Sequence, residues 1–231
     1  ALESARSALT TSAFLAAASH DLRQPLQTLT LLSSVLTRAV PIDSQAATAV
    51  ANQSEALRAM AELLNSLLDI SRLEAGVVKP DISDFSVDRI FSRLRAEFAA
   101  LAEAKGLELI VGDCDTVVRT DPTLLGQVVQ NLLGNAIRYT REGWVSLQCL
   151  ATPDAARIEV IDTGVGIAPE EIESVFDEFY QTRNDTNAAT SEGVGLGLSI
   201  ARRTAELLGC SLEVTSKLGS GSRFTLTVPR S

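Results

Sequence analysis

Asp121-Pro122-Thr123-Leu124-Leu125-Gly126-Gln127-Val128-Val129-Gln130-Asn131-Leu132-Leu133-Gly134-Asn135-Ala136-Ile137-Arg138 reads as a helix with a marked start and two distinct faces. The aspartate caps it, and the proline takes the first helical position, where a missing N–H costs nothing. Gln127, Asn131 and Asn135 recur four apart and Arg138 follows three later, so all four share one face. Val128, Val129, Leu132, Leu133, Ala136 and Ile137 occupy the other. An ordinary solvated face explains the amphipathicity but not amides where lysine and glutamate are usual. Amides on an otherwise buried helix are costly unless something pairs with them. Amide oxygens suit a hard cation such as Mg²⁺, and an arginine suits phosphate.

Downstream, Asp162-Thr163-Gly164-Val165-Gly166 follows a strand directly. Its glycines permit a sharp turn and a close approach to a ligand, and the aspartate at the strand end is an acceptor for an exocyclic amine. A plain turn would also explain this pentapeptide. A second cluster, Gly193-Val194-Gly195-Leu196-Gly197, runs into a helix, where glycine-rich backbone makes an anion site. It lacks the Gly-Lys-Ser/Thr of a P-loop and does not follow a strand as a dinucleotide fingerprint would. The polar stretch from Gln181 to Ser191 between the clusters has the length and composition of a lid.

Upstream, the apolar residues recur at helical spacing from about residue 5 to 38 and from about 45 to 74, with a break at Val40-Pro41-Ile42-Asp43-Ser44. Gly76 suits the terminus of the second helix. This predicts an antiparallel hairpin about 45 Å long at the helical rise per residue. Such a hairpin cannot bury both apolar stripes alone, and dimerisation into a four-helix bundle would cover them. Residues 77–80 read as a linker. Beyond them, a helix from Ser86 to about Lys105 and a strand Leu107–Val111 precede the amide-striped helix. Strands Trp144–Leu150 and Arg157–Ile161, a helix Ile200–Leu208, and strands Leu212–Ser216 and Ser222–Val228 follow it. The pattern is an α+β sandwich, a mixed sheet with helices on one face. The predicted domains are 1–76 and 77–231.

The first helix carries His20, the one histidine in 231 residues, in Ser19-His20-Asp21-Leu22-Arg23-Gln24-Pro25. A neighbouring carboxylate can fix one ring nitrogen and leave the other nucleophilic, although a lone histidine beside a solvated acid has the same sequence. A net charge of −9, from 20 basic and 29 acidic side chains, argues against a nucleic-acid partner. Hydrophobic residues make up 45% and aromatics 4%, so the core is aliphatic. Cys114, Cys149 and Cys210 match no metal or redox spacing and are expected to be reduced, partly buried thiols. No apolar run reaches the length of a membrane span. The chain opens at Ala1 inside a helical pattern, so a fragment or a processed form is expected, with any upstream input domain or membrane anchor outside it.

Taken in order, these stretches resemble the conserved boxes of the sensor histidine kinases of two-component signalling. Residues 19–25 resemble the H box and residues 131–140 the N box. Asp162 to Ile167 resembles the first glycine box, Phe176-Asp177-Glu178-Phe179-Tyr180 the F box, Gly193 to Ile200 the second glycine box, and Gly219-Ser220-Gly221-Ser222-Arg223-Phe224 the terminal one. The resemblance implies a dimerisation and phosphoacceptor hairpin followed by an ATP-binding domain of the gyrase, chaperone and mismatch-repair superfamily. It implies that His20 attacks the γ-phosphoryl of ATP, with Asp21 holding the δ N–H. Asn135 would ligate Mg²⁺ with Asn131 beside it. Arg138, where relatives usually have lysine, would contact phosphate, Tyr139 would pack near adenine, and Asp162 would accept from its amino group. Gly164 and Gly166 would bring the turn close to the nucleotide. Gly193, Gly195, Leu196 and Gly197 would carry the lid and the following helix to the phosphates, with Arg183 as the lid cation.

The amide stripe has no acid to activate water, which fits phosphotransfer better than hydrolysis. Gln24 stands where many relatives carry threonine or asparagine to orient a water for dephosphorylating the partner, so phosphatase activity is left open. Pro25 predicts a kink one turn past His20. The implied partners are a second copy of the chain and the receiver domain of a response regulator. The implied location is the cytoplasm, or its membrane face through a segment outside this chain. A nucleotide-binding scaffold without transfer and a chaperone-like ATPase are the competing readings.

Overall fold

The computed structural model describes residues 24–41, 45–180 and 195–229. The described residues fall into two compact units, residues 24–79 with 195–196 and residues 80–180 with 197–229. In the first, helix α1 (residues 24–39) and helix α2 (Gln45–Glu74) form the predicted hairpin. The hydroxyls of Ser33 and Ser54 meet across it at 2.6 Å. Helix α2 ends as its glycine anticipates. Gly76 takes φ +63°, its N–H donates to the Leu73 carbonyl, and the Val77 N–H donates to that of Arg72, so the orphan carbonyls of the last turn are satisfied. Much of the apolar stripe on α1 stays open: Leu29, Leu32 and Leu36 are 44%, 56% and 43% exposed. The Asp21 carbonyl that Pro25 would free lies outside the described residues. Among the described residues no helix is long and apolar enough to cross a membrane.

The second unit contains β1 (Ser83–Ser86), α3 (Asp88–Ala104), β2 (Glu108–Val111), β3 (Val117–Thr120), α4 (Pro122–Tyr139), β4 (Trp144–Ala151), β5 (Ala155–Asp162), α5 (Gly197–Leu207), β6 (Ser211–Lys217) and β7 (Gly221–Pro229). Five strands form one sheet in the order β2-β4-β5-β7-β6. The β2–β4 pair is parallel and the others are antiparallel, so the sheet is mixed as expected. One face supplies Val145, Leu147, Ile158, Val160, Leu226 and Val228, all fully buried, and the alternate residues Arg157 and Arg223 are exposed. The opposite face also buries Ser146, Glu159 and Thr225, but these are polar, so the apolar side chains gather on one face, as in a sheet with helices on one face only. Helix α4 contributes Leu125, Val128, Val129, Leu132 and Leu133 to the same core, all with no measurable exposure. These lie on the face that its sequence pattern assigned to the interior.

Two features depart from the sequence reading. The helix expected from Ser86 begins at Asp88, because Ser86 closes strand β1, which pairs antiparallel with β3 in a separate two-stranded sheet. The expectation of three reduced thiols is corrected for two of them: Cys114 and Cys149 form a disulfide with Cα atoms 5.7 Å apart. They are 35 residues apart in the chain and meet only because the loop after β2 folds beside β4. Cys210 is free and buried, and burial pushes its thiol up to about 11.

Candidate functional site

Strand β5 ends at Asp162, buried to 6% exposure between Val145 on β4 and Ser222 on β7. Its Oδ1 accepts from the Gly164 N–H at 2.8 Å and from the Ser222 N–H at 3.2 Å. Burial raises the carboxyl above its usual range, and the two backbone donors partly oppose that shift. Both donors serve one oxygen, so the orientation of the carboxylate is fixed by backbone alone.

The turn after Asp162 is held from two sides. The Val165 N–H donates to the carbonyl of Tyr139 at the end of α4, at 3.3 Å, and the Val165 carbonyl accepts from Gly219 at 2.7 Å. The Ile167 N–H donates to Ser216 Oγ at 2.8 Å. Gly166 takes φ +68°, and a Cβ there would collide with the Lys217 carbonyl. Gly164 is needed for another reason, since its Cβ would lie 2.5 Å from the Tyr139 carbonyl oxygen. The glycines of this segment therefore serve close approach of backbone to backbone, and the turn they permit forms one wall of a pocket.

That pocket encloses about 570 Å³, counting solvent at its mouth. Helix α4 supplies Asn135, Ala136 and Tyr139, and β5 with its turn supplies Asp162, Val165, Gly166 and Ile167. Val175, Tyr180, Leu198 of α5, and Ser222 and Phe224 of β7 complete its lining. An apolar pocket with one oriented carboxylate in its lining suits a largely apolar group that donates a hydrogen bond. Phe176 packs edge-on against Phe224 with ring centres 6.4 Å apart and lies 5.2 Å from the Arg202 guanidinium. Glu178 pairs with Arg203, so the segment before the predicted lid is tied to α5.

The predicted residues are brought together unequally. Asn135, Tyr139, Asp162 and Gly166 line the pocket, with Gly164 immediately behind the carboxylate. A Cβ on Gly197 would lie 3.8 Å from Asn135 Nδ2, so the start of α5 faces that amide. Asn131 and Arg138 share the helix but do not line the pocket, and the Arg138 carbonyl accepts from Lys105 Nζ at 3.3 Å. Gly195 takes φ +75° and Leu196 is buried. Gln24 lies exposed in the first described turn of α1. His20, Asp21, Arg183 and Gly193 lie outside the described residues. The pocket also uses Ser222, Phe224, Val175 and Tyr180, which the sequence reading did not single out as contacts. Ser222 and Phe224 lie in the terminal box, but their convergence on Asp162 depends on strand register.

Two family models match this chain. Residues 10–76 match the His Kinase A (phospho-acceptor) domain, and residues 120–231 match the histidine kinase-, DNA gyrase B-, and HSP90-like ATPase. The chain belongs to the sensor histidine kinases. Among similar proteins is the autoinducer 2 sensor kinase/phosphatase LuxQ of Vibrio cholerae, 34% identical over 98% of this chain and 27% of that protein. The sensor histidine kinase RcsC of Escherichia coli is 33% identical over 94% of this chain and 23% of its own length. The chain thus spans about a quarter of the curated relatives it matches. The crystal structure of full-length ShkA in complex with AMPPNP is 26% identical, with a TM-score of 0.76 over 93% of this chain and 45% of that one. The second match makes the domain from residue 120 onward one of the ATP-binding type. Among its described residues no cluster of His, Cys, Asp or Glu could hold a metal. A cation beside Asn135 would be held by that amide oxygen together with phosphate oxygens, a donor set that suits Mg²⁺.

Proposed function

We propose that this chain autophosphorylates on His20 with ATP and passes the phosphoryl group to an aspartate on the receiver domain of a response regulator. The observation that carries the reading is the buried Asp162 carboxylate, aimed by Gly164 and Ser222 at the base of an apolar pocket beside Asn135. Asp162 accepts from the adenine amino group, Tyr139 packs beside the ring, and Gly164 and Gly166 let the turn approach it. Asn135 would hold Mg²⁺, which would supply charge neutralisation on the phosphates, and Asn131 and Arg138 extend the polar face toward them. Gly193, Gly195, Leu196 and Gly197 lead the chain to the start of α5, where backbone N–H groups favour phosphate, and Arg183 is the lid cation.

His20 is the nucleophile. Its ring nitrogen forms the new N–P bond as the bond from the γ-phosphorus to the β,γ-bridging oxygen breaks, and ADP leaves. Asp21 accepts from the other ring N–H and stabilises the charge that develops on the imidazole. The amide face of α4 offers no carboxylate to activate water, which favours transfer over hydrolysis. The open stripe of Leu29, Leu32 and Leu36 supports a homodimer through the hairpin. Gln24 is the candidate for orienting water in the reverse, phosphatase direction. The reading places the chain in the cytoplasm, with any membrane attachment supplied by a segment outside it and no nucleic-acid partner.

Incubation with γ-labelled ATP and Mg²⁺ tests the proposal. The expected result is an acid-labile, base-stable label that is absent from His20→Ala and moves to a receiver domain. An intact protein that binds nucleotide yet takes no label would make it a scaffold. Steady phosphate release that survives His20→Ala would make it an ATPase.

A further inference from the structure

Asp121 does more than begin α4. Its side chain is buried to 6% exposure. Oδ1 accepts from the N–H groups of Thr123 and Leu124, at 2.8 and 3.0 Å, which is an ordinary helix cap. Oδ2 accepts from the backbone N–H of Asp81 at 2.8 Å, forty residues upstream. Asp81 is where the chain joins this domain, just past residues 77–80 and two residues before β1. Strand β1 then pairs with β3, register Ser83 to Thr120, and β3 runs without a break into Asp121.

Serine, threonine or asparagine would cap the helix about as well as aspartate. None of them offers two acceptor atoms, so none can cap through one oxygen while a second oxygen holds the Asp81 N–H. The second bond fastens the connector to the N-terminus of the helix that carries Asn131 and Asn135. Those residues lie ten and fourteen positions along α4, roughly 15 and 21 Å at the helical rise.

We infer that Asp121 is a positioning residue, whose second oxygen fixes where the connector is anchored on the nucleotide-binding helix and thereby sets the efficiency of phosphoryl delivery to His20. It touches neither nucleotide nor metal. The inference deepens the kinase reading and rests on it for its activity measurement. Losing the bond leaves the pocket intact, because the cap and the core face of α4 remain. It frees the segment through which the domain is tethered.

The test compares four proteins: wild type, Asp121→Asn, Asp81→Pro and the double variant. Asn keeps a capping oxygen but presents an NH₂ to Asp81, and proline removes the N–H from the other side. Affinity for AMPPNP with Mg²⁺ is expected to stay within about twofold, because the lost hydrogen bond lies outside the pocket. The labelling rate at saturating ATP is expected to fall roughly fivefold in each single variant, the scale of one net hydrogen bond. The double variant should fall no further than the singles, since both remove the same bond. Amide exchange over residues 81–86 should speed up in all three.

Unchanged labelling in both single variants overturns the inference. So do affinity and rate falling together, which would mean general damage, and losses that multiply in the double variant. Absence of label in the wild type would instead refute the kinase reading. The tie would then be judged by exchange, and unchanged uptake over 81–86 in both single variants would overturn it.

Discussion

Replacing Asp162 with asparagine should strengthen the empty protein and weaken its hold on ATP. The carboxylate is buried, and burial outweighs the two backbone donors in raising its pKa above 3.8. Its folded value therefore lies above its unfolded one. The folded state is favoured by this group below the unfolded value, and that contribution is lost as pH rises through the folded value. At neutral pH the ionised group is a net cost to folding. Asparagine keeps an Oδ1 for Gly164 and Ser222 and removes the charge, so the melting temperature without nucleotide should rise at pH 7–8. The difference should shrink as pH falls and the wild-type carboxyl protonates. The nucleotide sees the opposite change, because an NH₂ replaces the oxygen left for the adenine amine. Loss of a hydrogen bond to a charged acceptor is worth about 1.5–3 kcal/mol, or roughly 10- to 150-fold in affinity. Titration calorimetry with AMPPNP measures the loss. Inosine triphosphate sharpens the assay, since its ring carries an acceptor where adenine carries the amine. Wild type should reject it, and the variant should narrow that gap. Equal AMPPNP affinity in the two proteins, or a lower melting temperature for the variant at neutral pH, would refute this account of Asp162.

Three further perturbations follow from the same geometry. Gly221 takes φ +93° and a Cβ there would overlap the Asp162 carbonyl, so Gly221→Ala should cost about 2 kcal/mol or more in chemical denaturation, and a neutral result would mean that this corner relaxes freely. Asn135→Ala should leave the melting temperature nearly unchanged while lowering Mg²⁺-dependent labelling of His20 roughly a hundredfold, the scale expected for one lost electrostatic contact to the transferring group. Leu32→Lys combined with Leu36→Lys should convert a dimer to a monomer in sedimentation, and persistence of the dimer would place the interface on another face.

Helix α4 was legible because everything that defines it is local. A cap, a proline and a 3.6-residue period lie within eighteen consecutive residues, and the structure buries the face that the pattern assigned to the core. The sheet strands were legible for a similar reason, since β4, β5 and β7 are long enough to alternate. Strand β1 was not. Ser83-Asp84-Phe85-Ser86 has one apolar residue and no period to detect, and it is a strand only because β3 lies alongside. The disulfide partner of Cys114 was hidden for the same reason, as was the part of the pocket built on β7.

The last case shows how the two kinds of information combine at the site. The sequence contains Asp162 and Ser222 sixty residues apart, each in a recognisable glycine-rich stretch, with nothing local to join them. Register joins them: β5 and β7 are antiparallel and pair Asp162 with Ser222 at one end and Ala155 with Pro229 at the other. That alignment delivers the Ser222 N–H to the carboxylate and brings the terminal glycine box against the first. Gly221 is then required at the crossing because any side chain would strike the Asp162 carbonyl. The glycine boxes are thus two halves of one backbone contact, and the carboxylate they orient is the group we propose reads the base.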